Sequence, residues 1–109
     1  MRVWVLDDAV VFLRTLQEHV ELVGYHVGLA GSVLTKGRSG NDLDIILYPA
    51  TTAHKDYEGL IEALERAGLK RSIEREVVTR RWRRLGSEDR KHVEVWEYGN
   101  KRVDVFFLE

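Results

Sequence analysis

The sequence predicts a single α/β (α+β) domain, in which a mixed β-sheet carries helices packed mainly on one face. Three observations predict this fold class. Apolar residues recur at helical spacing in two segments, residues 8–23 and 53–67. Runs rich in Ile, Leu and Val lie between and after these segments, as expected for strands. A length of 109 residues leaves room for one hydrophobic core, so we expect residues 1–109 to form one domain.

The first helix is predicted over about residues 8–23. Asp7 or Asp8 is expected to cap its start, because a carboxylate there accepts a bond from a free backbone N–H. Gly24 suits the position just past its end. The residues that give this helix one apolar face are Ala9, Leu13, Leu16, Val20 and Val23.

Two strands with a short helical turn between them are expected next. Tyr25–Ala30 has the composition of a buried strand, in which Gly28 would allow another backbone to approach closely. Ser32–Lys36 is predicted as one helical turn, followed by a loop over residues 37–41. Asp42–Tyr48 is then predicted as a strand because of its Ile and Leu content.

A second helix is predicted over about residues 53–67, with Thr52 as its cap and Gly68 as its stop. Its inward positions are Leu60, Ile61, Leu64 and Ala67. The last third of the chain is predicted to be all β, beginning with a long strand over Ser72–Leu85. The chain closes with a hairpin formed by Lys91–Tyr98, the two-residue turn Gly99–Asn100, and Lys101–Leu108.

The composition narrows the range of functions. There is no cysteine, which excludes disulfides and thiolate metal sites and fits a reducing compartment. The start of the chain lacks the pattern of a signal peptide, and no apolar run is long enough to span a membrane. We therefore expect a cytoplasmic protein that has no membrane partner.

Positive charge is concentrated in residues 66–91, which carry ten basic and four acidic residues. Four arginines flank Trp82 there, namely Arg80, Arg81, Arg83 and Arg84. A cationic stripe around an aromatic ring can bind nucleic acid. The alternative is a solvated strand surface with Trp82 in the core, and the sequence leaves both interpretations open.

The pattern most informative about chemistry is a small turn followed by two carboxylates. Gly31–Ser32 ends an apolar run, nine further residues follow, and Asp42 and Asp44 then begin the next strand. Side chains alternate along a strand, so both carboxylates point to one face, with their Cα atoms ~6.6 Å apart. Such a pair provides the oxygen ligands that a hard cation such as Mg²⁺ prefers.

A third carboxylate is expected from the last strand. The two-residue turn places Asp104 opposite Val95, on a face with apolar Val93 and Phe106. An ionised Asp among apolar neighbours is costly unless it is compensated, and a shared metal ion would compensate it. The alternative is that Asp104 pairs with Arg102 or with an arginine of the 80–84 cluster. Glu94 is expected on the opposite face of the sheet.

These motifs resemble the nucleotidyltransferases of the DNA polymerase β superfamily. That family carries Gly-[Gly/Ser] after an apolar strand, then [Asp/Glu]-x-[Asp/Glu] in a second strand, and an Asp in a later strand. The corresponding residues are Gly31–Ser32, Asp42, Asp44 and Asp104, and the resemblance extends over about residues 8–108. The stretch 38–44 also resembles the Arg-x-x-x-Asp-Leu-Asp form of toxin nucleotidyltransferases. The short length resembles stand-alone antitoxin nucleotidyltransferases.

The resemblance implies a nucleotidyltransferase-like fold and a metal-dependent transfer of a nucleoside monophosphate. It implies that Asp42, Asp44 and Asp104 bind Mg²⁺ (or Mn²⁺) and that Gly31 and Ser32 hold the triphosphate. Lys36 or Arg38 could add charge-assisted bonds to these phosphates. The implied substrates are a nucleoside triphosphate such as ATP and an acceptor hydroxyl on a protein, an RNA or a small molecule.

Two other functions remain open. The chain ends one residue past its last predicted strand, whereas many family members continue with a helical substrate-binding region. This favours a catalytically silent, antitoxin-like module that binds a partner protein or forms a homodimer. A nucleic-acid-binding protein that uses residues 66–91 would instead bind in a salt-dependent manner that is indifferent to Mg²⁺.

Overall fold

The computed structural model describes residues 3–40, 42–50, 56–71 and 91–108. The helices in these ranges are α1 (Leu6–Val20), α2 (Gly31–Lys36) and α3 (Tyr57–Arg66). The strands are β1 (Trp4–Val5), β2 (Tyr25–Ala30), β3 (Arg38–Ser39), β4 (Asp42–Pro49), β5 (Leu69–Arg71), β6 (Lys91–Tyr98) and β7 (Lys101–Leu108).

The main sheet has five strands in the order β2-β4-β7-β6-β5. Its central pair, β4 and β7, is parallel, while the other neighbouring strands are antiparallel. β1 and β3 form a separate two-stranded antiparallel sheet. The predicted mixed sheet is therefore confirmed.

The hydrophobic core lies on one face of the main sheet, as predicted. Alternate residues of β4 and β7 are buried there, because successive side chains of a strand point to opposite faces. α1 and α3 cover this face with their own apolar residues. The buried set is Leu43, Ile45 and Leu47 of β4, Val103, Val105 and Phe107 of β7, Ala9, Phe12, Leu16 and Val20 of α1, and Leu60, Ala63 and Leu64 of α3.

The start of α1 differs from the prediction. The helix begins at Leu6, and its cap residue Val5 makes no side-chain bond. The N–H of Leu6 instead donates to the Gly37 carbonyl at 3.0 Å, so a tertiary contact replaces the expected carboxylate cap. Asp7 and Asp8 lie in the first turn, where negative charge is favoured by the helix dipole.

The helical segment that starts with α1 ends at Val23, as predicted, although its last turn is not α-helical. After Val20 the chain tightens into a 3₁₀ turn over Glu21–Val23. Gly24 follows with φ of 85°, a conformation that favours glycine.

The second predicted helix starts later in the structure. α3 is capped by Asp56, whose carboxylate accepts a bond from the Gly59 N–H at 2.8 Å. Thr52, the predicted cap, lies outside the described residues. Asp was the better candidate on chemistry, since its carboxylate accepts this bond at least as well as a hydroxyl does.

Two details of the strands also differ, and a third prediction falls outside the described residues. Arg38–Ser39 pairs with β1, so part of the predicted 37–41 loop is strand. A Cβ on Gly28 would meet the ring of Tyr48 at 3.9 Å, so Gly28 faces a side chain instead of another backbone. The predicted strand Ser72–Leu85 and its arginines lie outside the described residues.

The terminal hairpin follows the sequence pattern closely. Tyr98 pairs with Lys101 across the turn, and Val95 pairs with Asp104 as predicted. Gly99 has φ of 64°, which suits a two-residue turn that needs positive φ.

Glu94 of β6 lies on the face opposite Asp104, as expected; this is the core face, and Glu94 is completely buried there. Three donors surround its carboxylate: the Tyr57 hydroxyl at 2.6 Å, the Trp96 ring N–H at 2.9 Å and the Arg71 Nε at 3.1 Å. The Arg71 guanidinium also lies over the Trp96 ring, 5.2 Å from its centroid. This network joins α3 to β5 and β6 through a single buried charge.

We expect Glu94→Ala to lower the free energy of unfolding by about 3–5 kcal/mol, because it leaves the Arg71 guanidinium, the Tyr57 hydroxyl and the buried Trp96 ring N–H without their shared acceptor. Chemical denaturation of the purified protein measures this change. Glu97→Ala, on the exposed side of the same strand, is the matched control and should change stability by less than about 0.5 kcal/mol. Equal effects of the two substitutions would contradict a special role for Glu94.

Candidate metal centre

The parallel pairing of β4 and β7 brings the predicted acidic residues together. Asp44 pairs with Asp104 in the strand register, and Asp42 pairs with Arg102. Residues paired in this way project to the same side of the sheet, which is the face opposite the core. Two carboxylates from β4 and one from β7 therefore share one surface.

The three carboxylates converge closely enough to share a cation. Each of Asp42, Asp44 and Asp104 offers one oxygen, and these oxygens all lie within 4.8 Å of one another. Asp104 is only 8% exposed, while the other two are half-buried. An all-oxygen, anionic set of ligands is what Mg²⁺ or Mn²⁺ prefers, so the residues present fit such an ion.

Burial and mutual repulsion raise the pKa values of this cluster. Burial, followed by the charge of Asp42, raises the pKa of Asp44 to about 6. Burial, followed by a hydrogen bond with Asp42, raises the pKa of Asp104 to about 7. The guanidinium of Arg102 acts in the opposite direction on both pKa values. Crowded carboxylates that hold protons near neutral pH gain most from a bound dication.

The raised pKa values predict an unusual pH dependence of stability without metal. The native state holds protons on Asp44 and Asp104 up to about pH 6–7, whereas the unfolded chain loses them near pH 4. Stability should therefore fall as pH rises through this window. We expect a loss of about 1–2 kcal/mol between pH ~5 and pH ~8, a value reduced for partial solvent contact.

Thermal unfolding in a chelator, and then in Mg²⁺, measures this effect. Mg²⁺ should restore stability at the alkaline end and change little at the acidic end, because binding requires deprotonated ligands. Asp104→Asn cannot ionise, so it should flatten the pH profile in the chelator. Identical profiles for the wild type and Asp104→Asn would contradict the assignment.

Gly31 lies directly against the cluster. It begins α2 with φ of 71°, and a Cβ built there would overlap the Asp44 carboxylate. The neighbouring Ala30 pairs with Asp44 across β2 and β4. The position thus excludes a side chain twice, once by backbone conformation and once by space. Ser32 follows in the first turn of α2 and is half-buried.

The two predicted cations lie further along the same segment. Lys36 ends α2 and is exposed. Arg38 is exposed in β3, where it pairs with Val5. The contacts described in the structure link neither side chain to the three aspartates. Their role in binding phosphates stays a prediction.

Arg102 is the site residue that the sequence motifs do not single out. Its Nε donates to Asp104 Oδ1 at 2.8 Å, while its side chain remains 43% exposed. The sequence predicts this ion pair as an alternative to a shared metal ion, and the structure contains both the ion pair and the cluster of carboxylates. The pairing of Asp42 with Arg102 would have indicated it, but that register depends on how β4 and β7 pair.

Comparison with known proteins supports the fold and little beyond it. No protein-family model matches this chain, and no curated protein matches its sequence. Among solved structures, the chain is similar to a cytoplasmic RNA terminal U-transferase, with a TM-score of 0.61 and 14% sequence identity. The match covers 94% of this chain but only 28% of that enzyme. At this identity, the likeness shows that the two proteins share a fold over the matched residues.

None of the helices in the described part of the chain is long and apolar enough to cross a membrane.

Proposed function

We propose that this chain is a metal-dependent nucleotidyltransferase that moves a nucleoside monophosphate from a nucleoside triphosphate to an acceptor hydroxyl. The observation that carries the proposal is the convergence of three carboxylate oxygens within 4.8 Å beside a glycine that has no room for a side chain. Asp42, Asp44 and Asp104 would hold Mg²⁺ or Mn²⁺. The bound ions would neutralise charge on the attacking and leaving oxygens.

In this mechanism the side chains and backbone of the protein mainly position and orient the two substrates. Gly31 and Ser32 would hold the β- and γ-phosphates through backbone N–H groups, with Lys36 or Arg38 adding positive charge. The acceptor oxygen bonds to the α-phosphorus while the bond to the bridging oxygen breaks. Pyrophosphate leaves, and the hydroxyl proton passes to solvent. Positioning and electrostatics supply most of the rate of such a reaction.

The similarity to an RNA terminal U-transferase makes RNA one candidate acceptor. A protein or a small molecule would offer the same hydroxyl chemistry. The match covers 28% of that enzyme, so this proposal does not include a binding surface for the acceptor and the base. A partner protein or a second copy would be one source of that surface.

Incubation with each labelled nucleoside triphosphate tests the proposal. The purified chain, Mg²⁺ or Mn²⁺, and fractions of cell protein and RNA are combined, and transferred label and released pyrophosphate are measured. We expect label on one acceptor class and none in EDTA. The proposal is wrong if no triphosphate gives label under conditions in which calorimetry shows the ion to be bound.

A catalytically silent binding module is the second candidate, favoured by the ion pair between Arg102 and Asp104. That pair compensates part of the cluster's negative charge without any cation. In this case, Mg²⁺ should leave the melting temperature unchanged at neutral pH, whereas the enzyme should be stabilised by it.

A further inference from the structure

The short strand β1 lies against the segment that leads from α2 into β4. Trp4 pairs with Ser39, and Val5 pairs with Arg38, in the antiparallel sheet of β1 and β3. Ser39 is buried, and its hydroxyl accepts a bond from the Asp42 N–H at 3.3 Å. The backbone of Trp4 is therefore linked through Ser39 to the first aspartate of the candidate metal centre.

The side chain of Trp4 contacts the other strand that carries a predicted metal ligand. Its ring N–H donates to the Arg102 carbonyl at 3.0 Å. Arg102 lies in register with Asp42, so this bond is made where β4 and β7 begin to pair. The Arg102 side chain in turn donates to Asp104 at 2.8 Å. Trp4 is thus connected to Asp42 through β3 and to Asp104 through Arg102.

The ring of Trp4 is held in place from several sides. It is 2% exposed and belongs to the hydrophobic core, whereas the aspartates lie on the opposite face of the sheet. The rings of Phe12 and Tyr98 lie 5.4 Å and 6.4 Å from it between centroids, and the Lys101 ammonium lies 4.6 Å from its centroid. A buried indole N–H is costly without an acceptor. A phenylalanine here would need no acceptor, so the bond to Arg102 is a contact that packing alone does not require.

We propose that Trp4 is a positioning residue for the candidate metal centre, which it supports from the opposite face of the sheet. Its two connections end at the starts of β4 and β7, and the spacing of these strand ends sets the distance between the Asp42 and Asp104 carboxylates. A small dication tolerates little deviation from its preferred geometry, so its affinity depends on that distance. The inference rests on the metal binding of the proposed function and does not require nucleotidyl transfer.

Binding of Mn²⁺ to the full chain without nucleotide, followed by electron paramagnetic resonance of the free ion, tests the proposal. We expect Trp4→Phe to raise the dissociation constant by about tenfold, the low end of the losses typical of residues that orient metal ligands. The matched control is Phe12→Leu, which disturbs the same aromatic cluster and leaves the bond from Trp4 to Arg102 in place. It should lower the melting temperature, because it removes buried ring atoms, but bind Mn²⁺ with wild-type affinity.

A Mg²⁺ titration of the wild type, followed by nuclear magnetic resonance, tests the same coupling without altering the fold. The ring N–H signal of Trp4, assigned by its loss in Trp4→Phe, should shift as the ion binds, because coupling between two sites is reciprocal. The ring N–H of Trp96 is the internal control, since it donates to Glu94 on the core face at 2.9 Å. Its signal should stay in place.

Equal Mn²⁺ affinities of the two variants would overturn the proposal, as would a Trp4 signal that does not move at saturating Mg²⁺ or a wild type that binds neither ion. These outcomes are separable from those of the transferase assay. A chain that binds ions as expected but transfers no label would contradict the transfer activity alone. A chain that transfers label but shows equal affinities in both variants would contradict only the role of Trp4.

Discussion

Replacing Asp42 or Asp44 with alanine should reduce nucleotidyl transfer by at least about 10³-fold while leaving the fold intact. Each substitution removes one of three converging carboxylates, so the remaining pair cannot hold the ions in place. Both side chains are half-buried on the sheet face opposite the core, and their truncation leaves the apolar packing untouched. Initial rates of label transfer, with circular dichroism of each variant, measure the two parts of this expectation.

The control for this prediction is Glu65→Gln, which removes an exposed carboxylate on α3. It should transfer label at the wild-type rate. Activity within a few-fold of wild type in Asp42→Ala or Asp44→Ala would rule out the metal role of these residues.

Substituting Gly31 with alanine should decrease transfer by about 10²-fold or more. A Cβ at this position would overlap the Asp44 carboxylate, so either the ligand or the start of α2 must move. Displacing a catalytic group by about 1 Å can reduce rates by this factor. The substitution also forces alanine into φ of 71°, at a cost of about 1–2 kcal/mol in stability. Transfer kinetics and Mg²⁺ titration by calorimetry report the effect.

Gly37→Ala separates the overlap with the Asp44 carboxylate from the cost of placing alanine at a positive φ. Gly37 caps the other end of α2 with φ of 79°, but nothing lies within 4 Å of the Cβ position. It should show the same loss of stability and keep both Mg²⁺ affinity and transfer. If Gly31→Ala behaved like Gly37→Ala, contact with Asp44 would be irrelevant to activity.

The parts of the fold that could be predicted are those governed by local rules. The turn Gly99–Asn100 fixes the register of its hairpin, so the pairing of Val95 with Asp104 could be derived from the sequence alone. Alternation along β4 likewise placed Asp42 and Asp44 on one face. The register of the terminal hairpin and the alternation of side chains along β4 were enough to identify all three aspartates of the cluster.

The features that escaped prediction depend on contacts between distant segments. Gly37 supplies the carbonyl that replaces a side-chain cap on α1, and no local sequence pattern predicts this contact. The parallel contact between β4 and β7, which puts Arg102 beside the cluster, is a choice among several strand orders. The partners of Glu94 come from α3, β5 and β6. The face of the sheet on which Glu94 lies could therefore be predicted, but the donors that compensate its buried charge could not.

The parallel register of β4 and β7 has a consequence for how this protein matures. Asp44 and Asp104 are neighbours in space although most of the chain lies between them. During synthesis on the ribosome, the third carboxylate of the cluster is therefore made after the elements that precede β7. In the proposed enzyme, a nascent chain would bind its metal ion only after β7 has docked into the middle of the sheet. Ion binding would then stabilise the completed fold and no earlier state of the chain.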